Sequence, residues 1–336
     1  MLKHRFLGNS GLLVSEITFG NGITHGSQVE EEQAIRTVHR ALDLGITSFD
    51  TADSYADRAA EKILGAALKD LDHEDYEVFS KVYWPVGKQG PNNSGLSRKH
   101  IFDSAHRSLK NLGVDYIDLY QAHRFDYQTP LEETFQAFAD LVRQGKVLYI
   151  GVSEWTAEQI QQGHAMAAEV GVQMVSNQPQ YSALWRVIEQ RVVPTCEELG
   201  MSQIVWSPMA QGVLSGKYLP GQTPPKGSRA TDDTGGGDYV SKFLNDPILK
   251  AVQNLKPIAA EAGLTMPQLA IAWVLQNPNV ASAIVGASRP EQLDDTVKAS
   301  GVTLDTDVMK SVNDALTDVA NTDPSSTYQE SPKARY

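Results

Sequence analysis

Four side chains in this 336-residue chain are suited to moving and holding protons: Asp50, Tyr55, Lys81 and His123. A carboxylate, a phenol, an ammonium and an imidazole together can do general acid–base chemistry. Asp50 ends the run Ile46-Thr47-Ser48-Phe49-Asp50, and Tyr55 lies in the segment that follows. Lys81 ends Val78-Phe79-Ser80-Lys81, and His123 comes just after Tyr116-Ile117-Asp118-Leu119-Tyr120. Each therefore sits at or just past the C-terminal end of a short strand-like run. Taken singly, each also has a structural reading. Asp50 could cap the next helix, Tyr55 could be a loop aromatic, Lys81 a solvated charge and His123 a structural imidazole. The four have one meaning together only if their runs are parallel strands that end at a common mouth.

The rest of the chain supplies that arrangement. Strand-like runs recur at Ile17–Gly20, Val147–Val152, Met174–Ser176, Gln203–Trp206 and Ser282–Val285, which makes eight with the three above. Most are separated by helical patterns: Ala34, Val38 and Ala41; Ile101, Ala105, Leu109 and Leu112; Leu131, Phe135, Phe138 and Val142. Gly45 reads as the C-cap of the first of these helices. Repeated β-then-α units argue for a parallel sheet, and eight of them for a closed (β/α)8 TIM barrel, whose C-terminal strand ends form the active face. Gly8-Asn9-Ser10-Gly11 between two short apolar runs predicts an N-terminal β-hairpin, placed as a plug in the barrel floor. The stretch Pro208 to Asp238, rich in Gly, Pro, Ser and Thr, follows the seventh strand as a long loop on the active face. Residues 1–318 read as a single barrel domain. The polar tail, 319–336, reads as partly disordered.

Composition narrows the function. The net charge of −12 opposes a nucleic-acid partner. The lone Cys196 excludes an internal disulfide and reads as a structural thiol. The N-terminus lacks a signal-peptide pattern, and no apolar run approaches a bilayer span, so no membrane insertion is expected and the cytoplasm is the simplest location. Gly20-Asn21-Gly22-Ile23-Thr24-His25-Gly26 is too long for a dinucleotide fingerprint, and Gly212-Val213-Leu214-Ser215-Gly216-Lys217 is too short for a phosphate loop. No nucleophile elbow and no metal-ligand spacing is found, so no metal is expected. Gly286-Ala287-Ser288-Arg289-Pro290-Glu291 contains a capping box between Ser288 and Glu291. A helix start with free N–H groups beside Arg289 suits an anion. A plain capped helix with a surface arginine is the alternative.

Several ungapped runs, in order, resemble the aldo-keto reductase family: Phe49-Asp50-Thr51-Ala52, Gly95-Leu96-Ser97-Arg98-Lys99-His100, Trp206-Ser207-Pro208, Ser215-Gly216-Lys217-Tyr218, Pro267-Gln268-Leu269-Ala270-Ile271-Ala272-Trp273 and Gly286-Ala287-Ser288. The resemblance runs from about Phe6 to about Leu316. It is to the branch that holds the β subunits of voltage-gated potassium channels and their bacterial enzyme relatives. It implies reduction of small aldehydes or ketones with hydride from NADPH. Asp50, Tyr55, Lys81 and His123 are then the catalytic set, with Tyr55 giving a proton to the carbonyl oxygen. Lys81 would lend positive charge, Asp50 would hold Lys81, and His123 would orient the carbonyl. A free phenol titrates at about 10. The ammonium pulls Tyr55 down and burial pushes it up, and the net expectation is a depressed but protonated Tyr55.

The same resemblance assigns cofactor contacts. Ser153 and Gln178 would grip the nicotinamide carboxamide, and Trp206 would stack on the nicotinamide. Ser207, Pro208, Met209, Gly212 and Lys217 would close over the pyrophosphate with Arg229, while Gly20 and Asn21 approach the ribose. The Gly286, Ser288 and Arg289 stretch would read the adenosine 2′-phosphate, with Gln292 and Asp295 nearby as cofactor contacts, which favours NADPH over NADH. Trp84 and Tyr181 would make an apolar substrate pocket. Two departures stand out. Glu154 occupies a position where the wider family has Asn and the channel branch Arg, and Thr296 stands where Asn would meet the adenine. His123 favours an enzyme over a channel accessory, because mammalian channel subunits lack it. The alternatives are an NADPH-binding, redox-sensing accessory protein and a sugar or polyol dehydrogenase. A homo-oligomer is expected by resemblance alone.

Overall fold

A computed structural model describes residues 2–22, 25–26, 29–232 and 236–335. The eight expected strands close into one parallel barrel in the order β10-β3-β4-β5-β6-β7-β8-β9. They are β3 (Ile17–Gly20), β4 (Ser48–Asp50), β5 (Glu77–Val82), β6 (Ile117–Ala122), β7 (Val147–Ser153), β8 (Met174–Gln178), β9 (Ser202–Val205) and β10 (Val280–Val285). The remaining two strands, β1 (His4–Phe6) and β2 (Leu13–Ser15), form an antiparallel hairpin. The helices are α1 (Glu31–Asp43), α2 (Ala59–Leu68), α3 (Arg98–Leu112), α4 (Leu131–Arg143), α5 (Ala157–Glu169), α6 (Val192–Glu198), α7 (Gly236–Ser241), α8 (Asp246–Gln253), α9 (Leu255–Glu261), α10 (Met266–Leu275), α11 (Glu291–Thr296) and α12 (Thr306–Leu316). Among the described residues no single helix is long and apolar enough to cross a membrane.

Two cores follow from the closed sheet. Side chains that alternate outward from the strands meet the helices, as Phe49, Val78, Tyr120 and Val152 do, and join the apolar faces of α1, α3 and α4. Those faces are the predicted ones: Ala34, Val38 and Ala41 are buried on α1, and Ile101, Ala105, Leu109 and Leu112 on α3. Inward-facing side chains form a second core of Phe79, Leu119, Val175, Ile204, Ala281 and Ile284, and Leu7 and Val14 of the hairpin complete it. The hairpin is therefore the floor plug. A fully buried Leu or Val contributes about 1.5–3 kcal/mol. Arg5 fastens the plug by donating to Glu16 Oε1 (2.8 Å) and to the Val280 and Leu275 carbonyls (2.7 and 3.0 Å). At Gly8 (φ 55°) a β-carbon would lie 2.6 Å from two carbonyl oxygens, so only glycine lets the hairpin seat so deeply.

The long segment after β9 is more ordered than its composition suggests. It forms 3-10 turns at Ala210–Ser215 and Arg229–Thr231 before α7. Residues 319–335, read from sequence as a partly disordered tail, carry a 3-10 turn at Pro324–Gln329. Polar partners anchor the tail beside the mouth. Phe125 N donates to Ser331 Oγ (3.1 Å), Arg124 Nε to the Glu330 carbonyl (2.9 Å) and Arg335 Nε to Asp126 Oδ2 (3.0 Å).

Candidate active site

The barrel brings Asp50, Lys81 and His123 to one mouth because their strands are parallel neighbours: Asp50 pairs with Phe79, and Lys81 with Gln121. Lys81 is wholly buried. Its Nζ donates to Asp50 Oδ2 (2.7 Å), the Thr51 carbonyl (2.8 Å) and the Tyr55 hydroxyl (3.1 Å). An ammonium has three N–H donors and no acceptor, so each donor is used. The Tyr55 oxygen accepts from Lys81, which leaves its own O–H free to donate elsewhere. The second oxygen of Asp50 accepts from Gln178 Nε2 (2.8 Å). The imidazole of His123 stands edge-on to Tyr55, with ring centroids 5.7 Å apart.

Local backbone sets Tyr55. The next three residues, Ala56, Asp57 and Arg58, are all left-handed (φ 47°, 51° and 72°). Each costs a residue with a β-carbon roughly 1–2 kcal/mol, and the sharp reversal leads directly into α2. The Tyr55 ring then lies on Gly22, where an added β-carbon would be 2.9 Å from Cε2.

Burial governs the charges. Burial pushes the Tyr55 phenol above its ordinary value, against the pull of Lys81. The expected depression is thus corrected: the cost of a buried phenolate outweighs one neighbouring ammonium that Asp50 already balances. Burial also opposes the Lys81 charge, but Asp50 and Tyr55 hold the ammonium above its usual range. Burial lifts Asp50 above its ordinary value, and Lys81 and Gln178 offset only part of that rise. Burial drives His123 well below the usual histidine value, helped by Arg124 and Lys81, so the imidazole is neutral at pH 7.

The mouth is partly aromatic. Trp84 stands 6.2 Å from His123, centroid to centroid. Tyr181, expected to line the pocket, does not. It is 3% exposed, packs 5.3 Å from the Trp273 ring of α10, and its hydroxyl donates to Glu189 Oε1 (2.8 Å). The backbone after β8 turns it into the helix–sheet core, where its hydroxyl finds a partner. Trp206, just past β9, keeps a half-exposed indole.

Ser153 and Gln178 sit at adjacent strand ends, with Ser153 Oγ donating to the Gln178 carbonyl (2.8 Å). Gly20 is walled by Ile284, 2.4 Å from any β-carbon, and Gly286 abuts the Gly20 carbonyl. Asn21 Nδ2 donates to the Ala60 carbonyl (3.0 Å), while its Oδ1 is buried and unpaired. Pro208 is buried and Met209 half-buried. Lys217 is exposed, its Nζ 5.2 Å from the Tyr218 ring and near Gly212. Arg229 donates to Gln211, which in turn donates to Ser207 Oγ.

The predicted capping box is not formed. Ser288 N and Arg289 N donate to Gln292 Oε1 (2.8 and 3.4 Å), so Gln292 rather than Glu291 satisfies them, and α11 is only six residues long. The helix begins only at Glu291, with Pro290 in the cap position, two residues later than the box requires. The Arg289 side chain remains exposed. Asp295 is tied to α10 by Thr265 Oγ1 (3.0 Å) and Gln268 Nε2 (2.6 Å), and the Thr296 hydroxyl bonds back to the Gln292 carbonyl (3.2 Å).

Three residues escaped the sequence reading. Gln211 bridges the long segment as just described. Arg124 donates to the His123 carbonyl (2.6 Å) and lies 5.6 Å from the Trp84 ring. Glu330 of the tail lies 3.8 Å from Arg124 Nη2. Arg124 directly follows His123, which was its only sequence signal. Glu154, a departure from the family pattern, makes contacts that its sequence neighbours do not signal. It is buried with a left-handed backbone (φ 54°), and its Oε1 accepts from Gln180 N (2.5 Å) and Trp206 Nε1 (2.8 Å).

Comparison with known proteins gives the family. Residues 16–317 match the family model described as the Aldo/keto reductase family. A probable voltage-gated potassium channel subunit beta from Oryza sativa subsp. japonica is 39% identical over 305 residues, 90% of this chain and 92% of its own. A putative voltage-gated potassium channel subunit beta from Schizosaccharomyces pombe is 40% identical over 301 residues, 88% and 87% of the two chains. The L-glyceraldehyde 3-phosphate reductase of Escherichia coli O157:H7 is 33% identical over 333 residues, 94% and 93%. The chain belongs to the aldo/keto reductase family, and this membership, with a reductase among its relatives, supports an oxidoreductase.

Proposed function

We propose that this aldo/keto reductase is an NADPH-dependent enzyme that reduces small aldehydes and ketones to alcohols. The observation that carries the reading is the buried chain Asp50–Lys81–Tyr55, linked at 2.7 and 3.1 Å. It leaves one phenolic proton unspent at the barrel mouth.

The residues present fit a nicotinamide dinucleotide. The half-exposed Trp206 indole offers a stacking face, and the exposed Arg289 offers an accessible guanidinium for a phosphate. Gly20 and Gly286, which carry no side chains themselves, meet at the ends of two paired strands, and Asn21 Oδ1 is buried without a partner. Ser153, Gln178, Ser207, Pro208, Met209, Gly212, Lys217, Arg229, Ser288 and Gln292 would complete the cradle. Bound NADPH would supply the hydride.

The protein's part is proton delivery and orientation. Tyr55 donates its O–H to the carbonyl oxygen, and the Lys81 ammonium stabilises the phenolate left behind. Asp50 fixes the ammonium and offsets its burial. The neutral His123 can donate a hydrogen bond to the same carbonyl oxygen without adding charge. Trp84 supplies an apolar wall suited to small uncharged carbonyls.

The test is multiple-turnover oxidation of NADPH against a panel of carbonyls. Turnover with an aldehyde supports the enzyme. Tight NADPH binding with no more than one turnover would favour the second reading, a redox-sensing accessory protein, which the names of the rice and yeast relatives motivate. Faster turnover in the alcohol-oxidising direction with sugars or polyols would favour a dehydrogenase. A homo-oligomer is part of the proposal, read by light scattering.

A further inference from the structure

Glu154 presents a buried acid at the edge of the aromatic platform that the proposed function gives to the nicotinamide. Its Oε1 takes two N–H donors, the Trp206 indole at 2.8 Å and the Gln180 backbone at 2.5 Å. These bonds tie the end of β7 to the segments after β8 and β9, and they orient the indole. The charged groups around it come from three other segments. Arg124, after β6, pulls its titration down, and Glu330 of the tail pushes it up. Lys242, just past α7, senses both carboxylates, donates to Gln180 Oε1 (3.0 Å) and lies 3.7 Å from the Trp185 ring.

An oxidised nicotinamide carries a positive ring charge and a reduced one does not. A carboxylate fixed beside the ring discriminates between them by Coulomb attraction, which is strong where water is excluded. We propose that Glu154 sets the redox preference of the site, its carboxylate, held on Trp206, favouring the oxidised cofactor over the reduced one. This rests on Trp206 being the nicotinamide platform.

A linkage follows. Burial lifts the Glu154 carboxyl to about 7, so it is part-protonated at neutral pH. A cation arriving beside it must favour its ionised form, and binding of NADP+ then expels a fraction of a proton. NADPH, with a neutral ring, expels less.

The experiment compares the native protein with Glu154→Gln, which keeps an oxygen acceptor for both N–H donors and removes only the charge. NADP+ and NADPH are titrated at pH 7.5, by calorimetry in two buffers of different ionisation enthalpy. The expected result is an NADP+ Kd raised about threefold or more, with NADPH within about twofold of native. Proton release on NADP+ binding falls in the variant. An unchanged ratio of the two constants, with unchanged proton release, overturns the proposal. A Trp206→Ala control separates the two levels of the argument. If it binds both nucleotides as the native protein does, Trp206 is not the platform and the site reading itself fails. If it weakens both while Glu154→Gln changes nothing, only the redox role of Glu154 fails. A circular-dichroism melt confirms that each variant is folded.

Discussion

Lys81 Nζ donates to the Tyr55 hydroxyl across 3.1 Å, and its two remaining N–H donors are taken by Asp50 Oδ2 and the Thr51 carbonyl. The phenol is therefore an acceptor toward the lysine and a donor toward the mouth. Tyr55→Phe should still bind NADPH and should reduce carbonyls at least ~100-fold more slowly. Burial holds the phenol above its ordinary value, so the donor is present below that raised value and is lost as pH rises through it. The alkaline limb of kcat/KM for reduction should lie above about pH 10. A limb near pH 8 would show that Lys81 outweighs burial.

The same ion pair is a stability device. Removing one partner strands the other charge in the interior, so Lys81→Met should destabilise the fold by about 3–5 kcal/mol. The double variant Asp50→Asn, Lys81→Met should recover a large part of that loss, though not the activity. Urea unfolding of the set decides it. A double variant as unstable as the sum of the singles would mean that the two residues act independently.

Gly22 makes room for Tyr55. An added β-carbon would stand 2.9 Å from the Tyr55 ring. Gly22→Ala should leave the fold intact and displace the phenol, lowering kcat/KM by roughly tenfold or more, because small misplacements of a reacting group are costly. Native kinetics in this variant would show that the ring can move at no cost.

Arg289 is exposed beside a chain reversal whose N–H groups Gln292 already satisfies. The guanidinium, rather than the helix start, is then the anion reader. Arg289→Ala should raise the Kd for NADPH by roughly tenfold, about 1.4 kcal/mol, and leave NADH nearly unchanged. Fluorescence titration with both nucleotides checks this, and equal losses would remove Arg289 from 2′-phosphate recognition.

Asp53, two residues before Tyr55, is buried with one oxygen unpaired and the other accepting from Ser104 Oγ. Burial raises its carboxyl from 3.8 to about 7, and the nearby Glu61 adds to the rise. A folded-state value above the unfolded one means that the native state binds the proton more tightly. The burden of the buried charge is relieved as pH falls from about 7 toward 4 and is complete above 7. Asp53→Asn should therefore stabilise the protein at pH 8, by on the order of 2–4 kcal/mol, and give little gain at pH 4.5. A pH-independent effect would mean that Asp53 does not change its ionisation on folding.

The sequence alone determined the barrel and the membership of its mouth. Eight β-branched runs alternating with apolar helical faces leave few other folds, and parallel closure sends every strand end to one side. Asp50, Lys81 and His123 could be grouped by that rule without any side-chain geometry, and the Gly8–Gly11 turn between two short apolar runs was enough to predict the hairpin, which packing of Leu7 and Val14 seats in the barrel floor. Tertiary structure decided what depends on contacts between distant segments. The rise of the Tyr55 phenol and the neutrality of His123 come from burial, which no local pattern encodes. Tyr181 went into the core because Glu189 and Trp273 met it there. Gln292 rather than Glu291 takes the Ser288 N–H because α11 starts at Glu291, with Pro290 and not Ser288 in the cap position. Glu154 turned onto Trp206 through a left-handed backbone that a sequence does not announce for glutamate, and the tail was held by Arg124 and Phe125, 206 positions away. Strand and helix periodicity is a property of neighbours in the chain, whereas desolvation and partner choice belong to neighbours in space.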